Sequence, residues 1–185
     1  MATKGPKLKP VAVAKWIGRQ YVETEKHRFE GSEITKEIYR EIAEITAELF
    51  EQIPVPVVFQ PEDPYDSYTD MAETVGKEQQ LRVYSKHNDH EYFTPEENMK
   101  FRAVHDWFGH LEADVNFSAE GEFKKWDHMN QYYSTADQQR VMFGEVVGQL
   151  GAIHYLKDSF GDDRYEQRAI PAPLTWIRVM KKAVN

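Results

Sequence analysis

The stretch of sequence that decides the fold is VMFGEVVGQLGAI, residues 141–153. Every residue in it is apolar or small except Glu145 and Gln149, which lie one helical turn apart on one face. A helix that is apolar on all sides is buried, and a buried carboxylate is unfavourable unless a cation, a metal ion or hydrogen-bond donors satisfy it. The sequence therefore predicts a buried central helix in which Glu145 has polar partners. Glu145 is either part of a functional centre or a structural residue paired with an arginine or with backbone amides.

Start and stop signals place two helices in the C-terminal half of the chain. Thr94 can cap a helix and Glu97 can return the capping-box hydrogen bond, so we expect a helix from about position 95 to about position 111. Thr135 and Gln138 form the same pattern ahead of the central helix, which Gly161 is placed to end. Both helices carry polar residues from which a functional site could be built.

An amphipathic helix is predicted over residues 32–50. Aliphatic residues recur there at intervals of three or four positions, with glutamates on the other faces, so we expect the aliphatic stripe to pack into the core. The stripe consists of Ile34, Ile38, Ile42, Ile45 and Leu49.

Two short β-branched runs, residues 54–59 and 81–84, are the strand candidates. Prolines in the first run suit an edge strand or the entry to a strand, so the sheet must be small. The predicted fold class is therefore α+β, mainly α-helical, with a small two- or three-stranded sheet. We expect one globular domain over residues 11–185, preceded by a basic N-terminal arm at residues 1–10.

Composition excludes several classes of protein. With 41% hydrophobic and 29% charged residues among 185, the chain is neither disordered nor fibrous. No apolar run approaches the ~20 residues of a membrane-spanning helix, and the apolar run behind the N-terminal lysines is too short for a secretory signal. We therefore expect a soluble protein without a membrane partner.

The cysteine content and the net charge limit which metal ligands and which binding partners the protein can have. The chain has no cysteine, which excludes disulfides, thiolate nucleophiles and cysteine-ligated metal sites, so any metal must be held by His, Asp or Glu. The net charge of −8 disfavours nucleic acid as a bulk electrostatic partner, and we expect the two terminal basic clusters to serve solubility. These clusters are Lys4, Lys7 and Lys9 at one end and Arg178, Lys181 and Lys182 at the other.

The first candidate for chemistry is HDWFGH, residues 105–110. On a regular α-helix Asp106 and His110 project to one side, whereas His105 and His110 are about 140° apart. The two histidines can therefore converge only if the helix is distorted, and Gly109 is where a distortion costs least. Together the polar residues could hold a divalent metal ion, or form a base oriented by a carboxylate, or be a polar face with a capping histidine.

Packing of this helix against the central helix would gather histidines and carboxylates around one point. Residues 120–128 offer a further carboxylate or imidazole. The loop at residues 87–90 adds two histidines, which we expect to be solvated. The predicted cofactor is a divalent metal ion, with His105, His110, Glu122 and Glu145 as ligands and Asp106 or Glu145 as catalytic base.

Known catalytic motifs fit this segment only in part. The zinc-peptidase pattern requires two histidines four positions apart with glutamate after the first, whereas here the spacing is five and Asp106 follows His105. The His105-Asp106 dyad also fits the HD phosphohydrolase pattern, which requires a further histidine upstream and a further aspartate downstream. The chain has candidates for both, so this alternative stays open. The sequence contains neither a phosphate-binding glycine loop nor a serine-nucleophile elbow.

The polar residues also follow an order found in a known family. The blocks are FRAVHDWFGH at residues 101–110, Gly121-Glu122, Trp126 and EVVGQ at residues 145–149. Their order resembles a domain of bacteriophage proteins and of large phage or plasmid polyvalent proteins, which carries Phe-Arg-Ala-Val-His-Asp-x-Phe-Gly-His, Gly-Glu and Glu-x-x-Gly-Gln blocks. The resemblance covers about residues 60–150.

The resemblance implies a phage-encoded protein with a polar centre, and it supplies no activity. The function that we predict is metal-dependent hydrolysis of a phosphoester or another small molecule in the host cytoplasm. The alternative is a non-catalytic phage accessory or virion-associated protein that binds a host or viral protein and whose buried polar cluster is structural. The polar centre implied by the resemblance consists of His105, Asp106, His110, Glu122 and Glu145.

Overall fold

The computed structural model describes residues 8–24, 33–161 and 167–185. Within these ranges the chain is mainly helical and has a small two-stranded parallel sheet, which confirms the predicted fold class. None of the helices in these ranges combines the length and the apolar character needed to cross a membrane. The elements in chain order are α1 (Pro10–Glu23), α2 (Glu33–Phe50), β1 (Val57–Gln60), α3 (Tyr68–Glu78), β2 (Leu81–Tyr84), α4 (Pro95–Val104), the π-helical segment π1 (His105–Leu111), α5 (Ala119–Met129), α6 (Ala136–Phe143), the π-helical segment π2 (Gly144–Gly148), α7 (Gln149–Phe160) and α8 (Leu174–Val184).

The two strands are parallel neighbours, with Val57 opposite Leu81 and Gln60 opposite Tyr84. Helix α3 forms the crossover between them, as parallel pairing requires. Leu81 of β2 and Met71 of α3 are fully buried in a small hydrophobic cluster beside α4. The sheet therefore fixes the end of β2 next to the helix that leads into π1.

The continuous helix formed by α6, π2 and α7 is the buried centre of the fold, as its apolar sequence predicts. All five residues of π2 are buried. Helix α1 crosses α7 at two glycines, since a Cβ atom on Gly18 or on Gly151 would collide with the backbone of the opposite helix. The absence of these side chains lets α1 pack directly on α7 and shield the helix that carries Glu145.

Helix α2 packs the predicted aliphatic stripe against the core except at its first turn. Ile42 and Leu49 are buried, and Ile38 and Ile45 pack against the core. Ile34 is 69% exposed, so the prediction is wrong for that residue. The buried face includes Tyr39, whose side chain is fully buried and donates a hydrogen bond to Glu145. A buried carboxylate needs donors, and α2 supplies one through this contact.

The helix termini follow the predicted signals. Thr94 and Thr135 form capping boxes with Glu97 and Gln138, respectively. Gly161 ends α7 with a left-handed backbone conformation, at a φ of 69°. These caps fix where α4, α6 and α7 begin or end, and thus where the two π-helical segments lie.

The terminal basic clusters are only partly described. Lys4 and Lys7 lie outside the described residues, and with them most of the predicted N-terminal arm. At the other end, Lys181 and Lys182 are exposed on the last turn of α8.

Candidate metal centre

A π-helical turn brings the two predicted histidine ligands together. Backbone hydrogen bonds at π1 run from residue i+5 to residue i, as from Glu112 N to Trp107 O at 2.9 Å. Residues five apart therefore lie above one another, and Nε2 of His105 is 3.2 Å from Nε2 of His110. The prediction that these histidines converge only on a distorted helix is confirmed.

Glu122 on α5 completes the candidate metal centre, which consists of His105, His110 and Glu122. Its carboxylate is buried, and Oε1 is 3.2 Å from His110 Nε2. The preceding Gly121 packs so closely on Asn116 that a Cβ atom would collide with its backbone, and this contact sets the first turn of α5 beside π1. One ligand atom from each of the three residues lies within 4.8 Å of the others. Ligands of a tetrahedral ion lie about 3.3–3.5 Å apart, so the spacing fits one ion.

The hydrogen bonds of His110 fix the direction of its lone pair. Nδ1 lies 2.9 Å from the carbonyl oxygen of Val115, and since a carbonyl oxygen only accepts, Nδ1 carries the proton. Burial and the neighbouring Lys125 hold the pKa of His110 below its usual value, so the ring is neutral at pH 7. Nε2 therefore presents a lone pair to Glu122 Oε1, which is also an acceptor. Two buried acceptors in contact are unfavourable unless a cation satisfies both.

Lys125, one turn after Glu122 on α5, places a positive charge at this point. Its side chain is fully buried, and its ammonium contacts Glu122 Oε2, His105 Nε2 and, at 3.4 Å, His110 Nε2. Burial lowers the pKa of Lys125, and the Glu122 carboxylate opposes that shift. Burial alone would raise the pKa of Glu122, but Lys125, His110 and His105 together outweigh burial and hold that pKa below its usual range. Burial and Lys125 together hold the pKa of His105 well below its usual value.

Sequence reasoning missed Lys125. One signal could have found it, because on a helix it shares a face with Glu122 and Met129, both of which are buried. A lysine in that position is buried only with a carboxylate partner, and Glu122 provides it. Of the other candidates within residues 120–128, Glu120 pairs with Lys124 and His128 contacts Glu112, both nearer the surface.

Asp106 lies beside the candidate metal centre and not within it. Together with His105 it lines a cavity of about 210 Å³, whose wall also contains Tyr65, Tyr84 and Phe117. Burial raises the pKa of Asp106 to about 7. A carboxyl group with a pKa near neutrality, next to a candidate ligand, is suited to proton transfer.

Glu145 is buried, as predicted, but its partners differ from the predicted ones. Oε1 accepts hydrogen bonds from the Tyr39 hydroxyl and from His90 Nε2 at 3.4 Å. Oε2 accepts from the side-chain amides of Gln149 and Gln167, the latter at 3.3 Å. Among the described residues, these four side-chain donors surround the carboxylate in place of an arginine, backbone amides or the histidines of π1. Glu145 and its donors form a separate Glu145 cluster.

His90 is a second residue that sequence reasoning missed. The expectation that the histidines of residues 87–90 are solvated is wrong for His90, whose side chain is 1% exposed. Its Nδ1 accepts hydrogen bonds from the backbone N–H groups of Tyr92 and Phe93, both at 3.1 Å, so Nε2 carries the proton and donates to Glu145. The sequence signal for its burial is the aromatic pair that follows, of which Phe93 stacks on the imidazole ring.

A cavity of about 810 Å³ connects the two polar centres. Its wall includes His105 from the candidate metal centre and Glu145, Gln149 and Gln167 from the Glu145 cluster. Arg102 also lies in this wall, where its guanidinium donates hydrogen bonds to three backbone carbonyls at and after the end of β2. A cavity of this size accommodates a small-molecule ligand.

Comparisons with known proteins add no family to this description. No protein-family model matches the chain, and no curated protein or solved structure matches it. The resemblance to the phage and polyvalent-protein domain therefore stays a prediction.

Glu145→Ala is expected to lower the free energy of unfolding by about 2 kcal/mol or more, because it leaves four donors without their acceptor. Glu44→Ala is the matched control on α2, where the side chain is exposed, and should change that free energy by less than about 0.5 kcal/mol. Urea denaturation of both variants measures the difference. Equal values would show that the Glu145 cluster does not stabilise the core.

Proposed function

We propose that His105, His110 and Glu122 bind one divalent metal ion, and that this ion activates water for hydrolysis. The observation that carries the proposal is the contact of two buried acceptors, His110 Nε2 and Glu122 Oε1, at 3.2 Å. A divalent ion would be held by His110 Nε2, Glu122 Oε1 and His105 Nε2, and its charge would compensate both acceptors.

The donor set and its surroundings support a catalytic ion. Two imidazoles and a carboxylate suit borderline ions such as zinc, and three protein ligands leave one coordination position for water. A backbone carbonyl oxygen holds the Nδ1–H of His110, which is the arrangement that orients metal-ligating histidines. His105 borders both cavities, so the candidate metal centre adjoins space for a substrate.

We assign the role of general base to Asp106 and not to Glu145. Asp106 lines the cavity of about 210 Å³ together with His105, so its carboxylate borders the space in which the ion-bound water would react. Glu145 accepts two hydrogen bonds at each oxygen, and these use the acceptor positions that a proton or a metal would need. Its role in this proposal is to shape the larger cavity.

A phosphoester is the substrate class that we propose. A divalent ion lowers the pKa of bound water and also stabilises the charge on phosphoryl oxygens. Because the chain has a net charge of −8, the ion and the Arg102 guanidinium in the cavity wall would supply the local positive charge that such a substrate requires.

A second candidate function has one observation in its favour. Lys125 gives Glu122 and both histidines a cation, so the same residues can form a structural network without a metal ion. The protein would then be a non-catalytic accessory protein with a host or viral protein as its partner. Metal binding separates the two functions.

Chelator-treated protein is expected to bind about one divalent ion per chain in calorimetry with zinc, manganese or iron(II), and more tightly at pH 8 than at pH 5.5. Protons compete for the imidazole ligands, and because the pKa of each histidine is below its usual value of about 6.5, most of the loss is expected below that pH. His105→Ala should abolish binding. His87→Ala should retain it, because His87 is exposed and outside the candidate metal centre.

The metal proposal would be contradicted by the absence of saturable binding at either pH. Equal affinity of the two histidine variants would also contradict it, since the ion would then be bound elsewhere.

Asp106→Asn is expected to lower the rate of metal-dependent phosphodiester hydrolysis by about 10²-fold or more at saturating metal, because asparagine cannot accept a proton. Bis(p-nitrophenyl) phosphate is the probe. Asp63→Asn is the matched control, since Asp63 is an exposed carboxylate in the same cavity wall. Unchanged turnover by Asp106→Asn would remove Asp106 from the reaction, and no turnover by the wild type with any of the three ions would favour the binding protein.

A further inference from the structure

Lys125 occupies the point on which the candidate ligands converge. Its ammonium contacts Glu122 Oε2 and His105 Nε2 and lies 3.4 Å from His110 Nε2. The three residues that would hold a metal ion therefore hold the ammonium of a lysine. Because the Lys125 side chain is fully buried, these residues and not solvent compensate its charge.

The contact between π1 and α5 is shaped to admit this lysine. Gly109 in π1 faces the Lys125 side chain, and a Cβ atom at position 109 would lie 2.6 Å from both Cγ and Cδ of the lysine. Close-packed cores do not tolerate such contacts, so a larger residue at position 109 would force Lys125 from its path. Glu122, three residues earlier on α5, gives the ammonium its ion-pair partner.

We infer that Lys125 is an intramolecular competitor of the metal ion and sets the metal affinity of the site. The ammonium and a divalent ion use the same ligand atoms, so the two cations exclude each other. The metal ion enters when the ammonium leaves, and Glu122 has a cationic partner in both states. The inference rests on the proposed function for the metal-bound state.

Removal of the lysine charge tests the competition directly. Lys125→Met keeps a long apolar side chain and removes the cation. Lys124→Met is the matched control, because Lys124 is exposed and pairs with Glu120. Zinc binding by the chelator-treated proteins is measured by calorimetry, with folding checked by circular dichroism. We expect Lys125→Met to bind zinc about tenfold more tightly than the wild type, or more, and Lys124→Met to bind it as the wild type does.

The outcomes separate this inference from the proposed function. Unchanged or weaker zinc binding by folded Lys125→Met, with binding by the wild type, would overturn the competition and leave the metal site in place. Zinc binding by Lys125→Met and not by the wild type would overturn the proposed function, because Lys125 would then exclude the ion and hold the three residues in a structural network. No binding by either protein would overturn the proposed function, and the competition with it, in favour of the structural network.

Stability provides a second readout. Loss of Lys125 leaves Glu122 without its cation, so Lys125→Met is expected to melt at a lower temperature in chelator and to regain stability when zinc is added. Lys125→Gln, which is also neutral, is the second variant. If both variants are unfolded in chelator, zinc should restore their folding, and failure to do so would overturn the inference.

Discussion

Two acceptors that face each other in the core, His110 Nε2 and Glu122 Oε1, impose the constraint on which the rest of the site depends. The hydrogen bond of His110 to the Val115 carbonyl oxygen fixes the tautomer, so the ring cannot satisfy Glu122 by itself. A cation is required, and the Lys125 ammonium meets this requirement from within the chain. The function that we propose requires a metal ion to replace the Lys125 ammonium at this point.

The fold positions polar side chains in the core at two places along the chain. The π-helical turn of π1 replaces the wide angular separation of an α-helix and aligns residues five apart, as π-helical turns at functional sites often do. At the other polar centre, Glu145 accepts hydrogen bonds from Tyr39 of α2, His90 of the loop after β2, Gln149 of α7 and Gln167 of the C-terminal segment. One carboxylate thus joins four parts of the chain around the larger cavity.

The fold class and the burial of Glu145 could be predicted because they depend on local patterns of apolar and β-branched residues. The need for a distorted helix between His105 and His110 follows from helix geometry alone. The burial of Lys125 could not be predicted with the same rules, because a lysine is buried only where the tertiary structure gives it a partner. The hydrophobic stripe of α2 predicted its core face at four of five positions, and Ile34, in the first turn of the helix, is the exception.

The protonation state of His110 tests the central claim most directly. Nitrogen-15 shifts and long-range proton–nitrogen couplings of its imidazole ring, measured by NMR at pH 7 in chelator, report which ring nitrogen carries a proton. The geometry predicts a neutral ring with the proton on Nδ1 and no proton on Nε2. A doubly protonated ring, or a proton on Nε2 alone, would let His110 donate to Glu122 itself, and the need for a cation at this point would disappear.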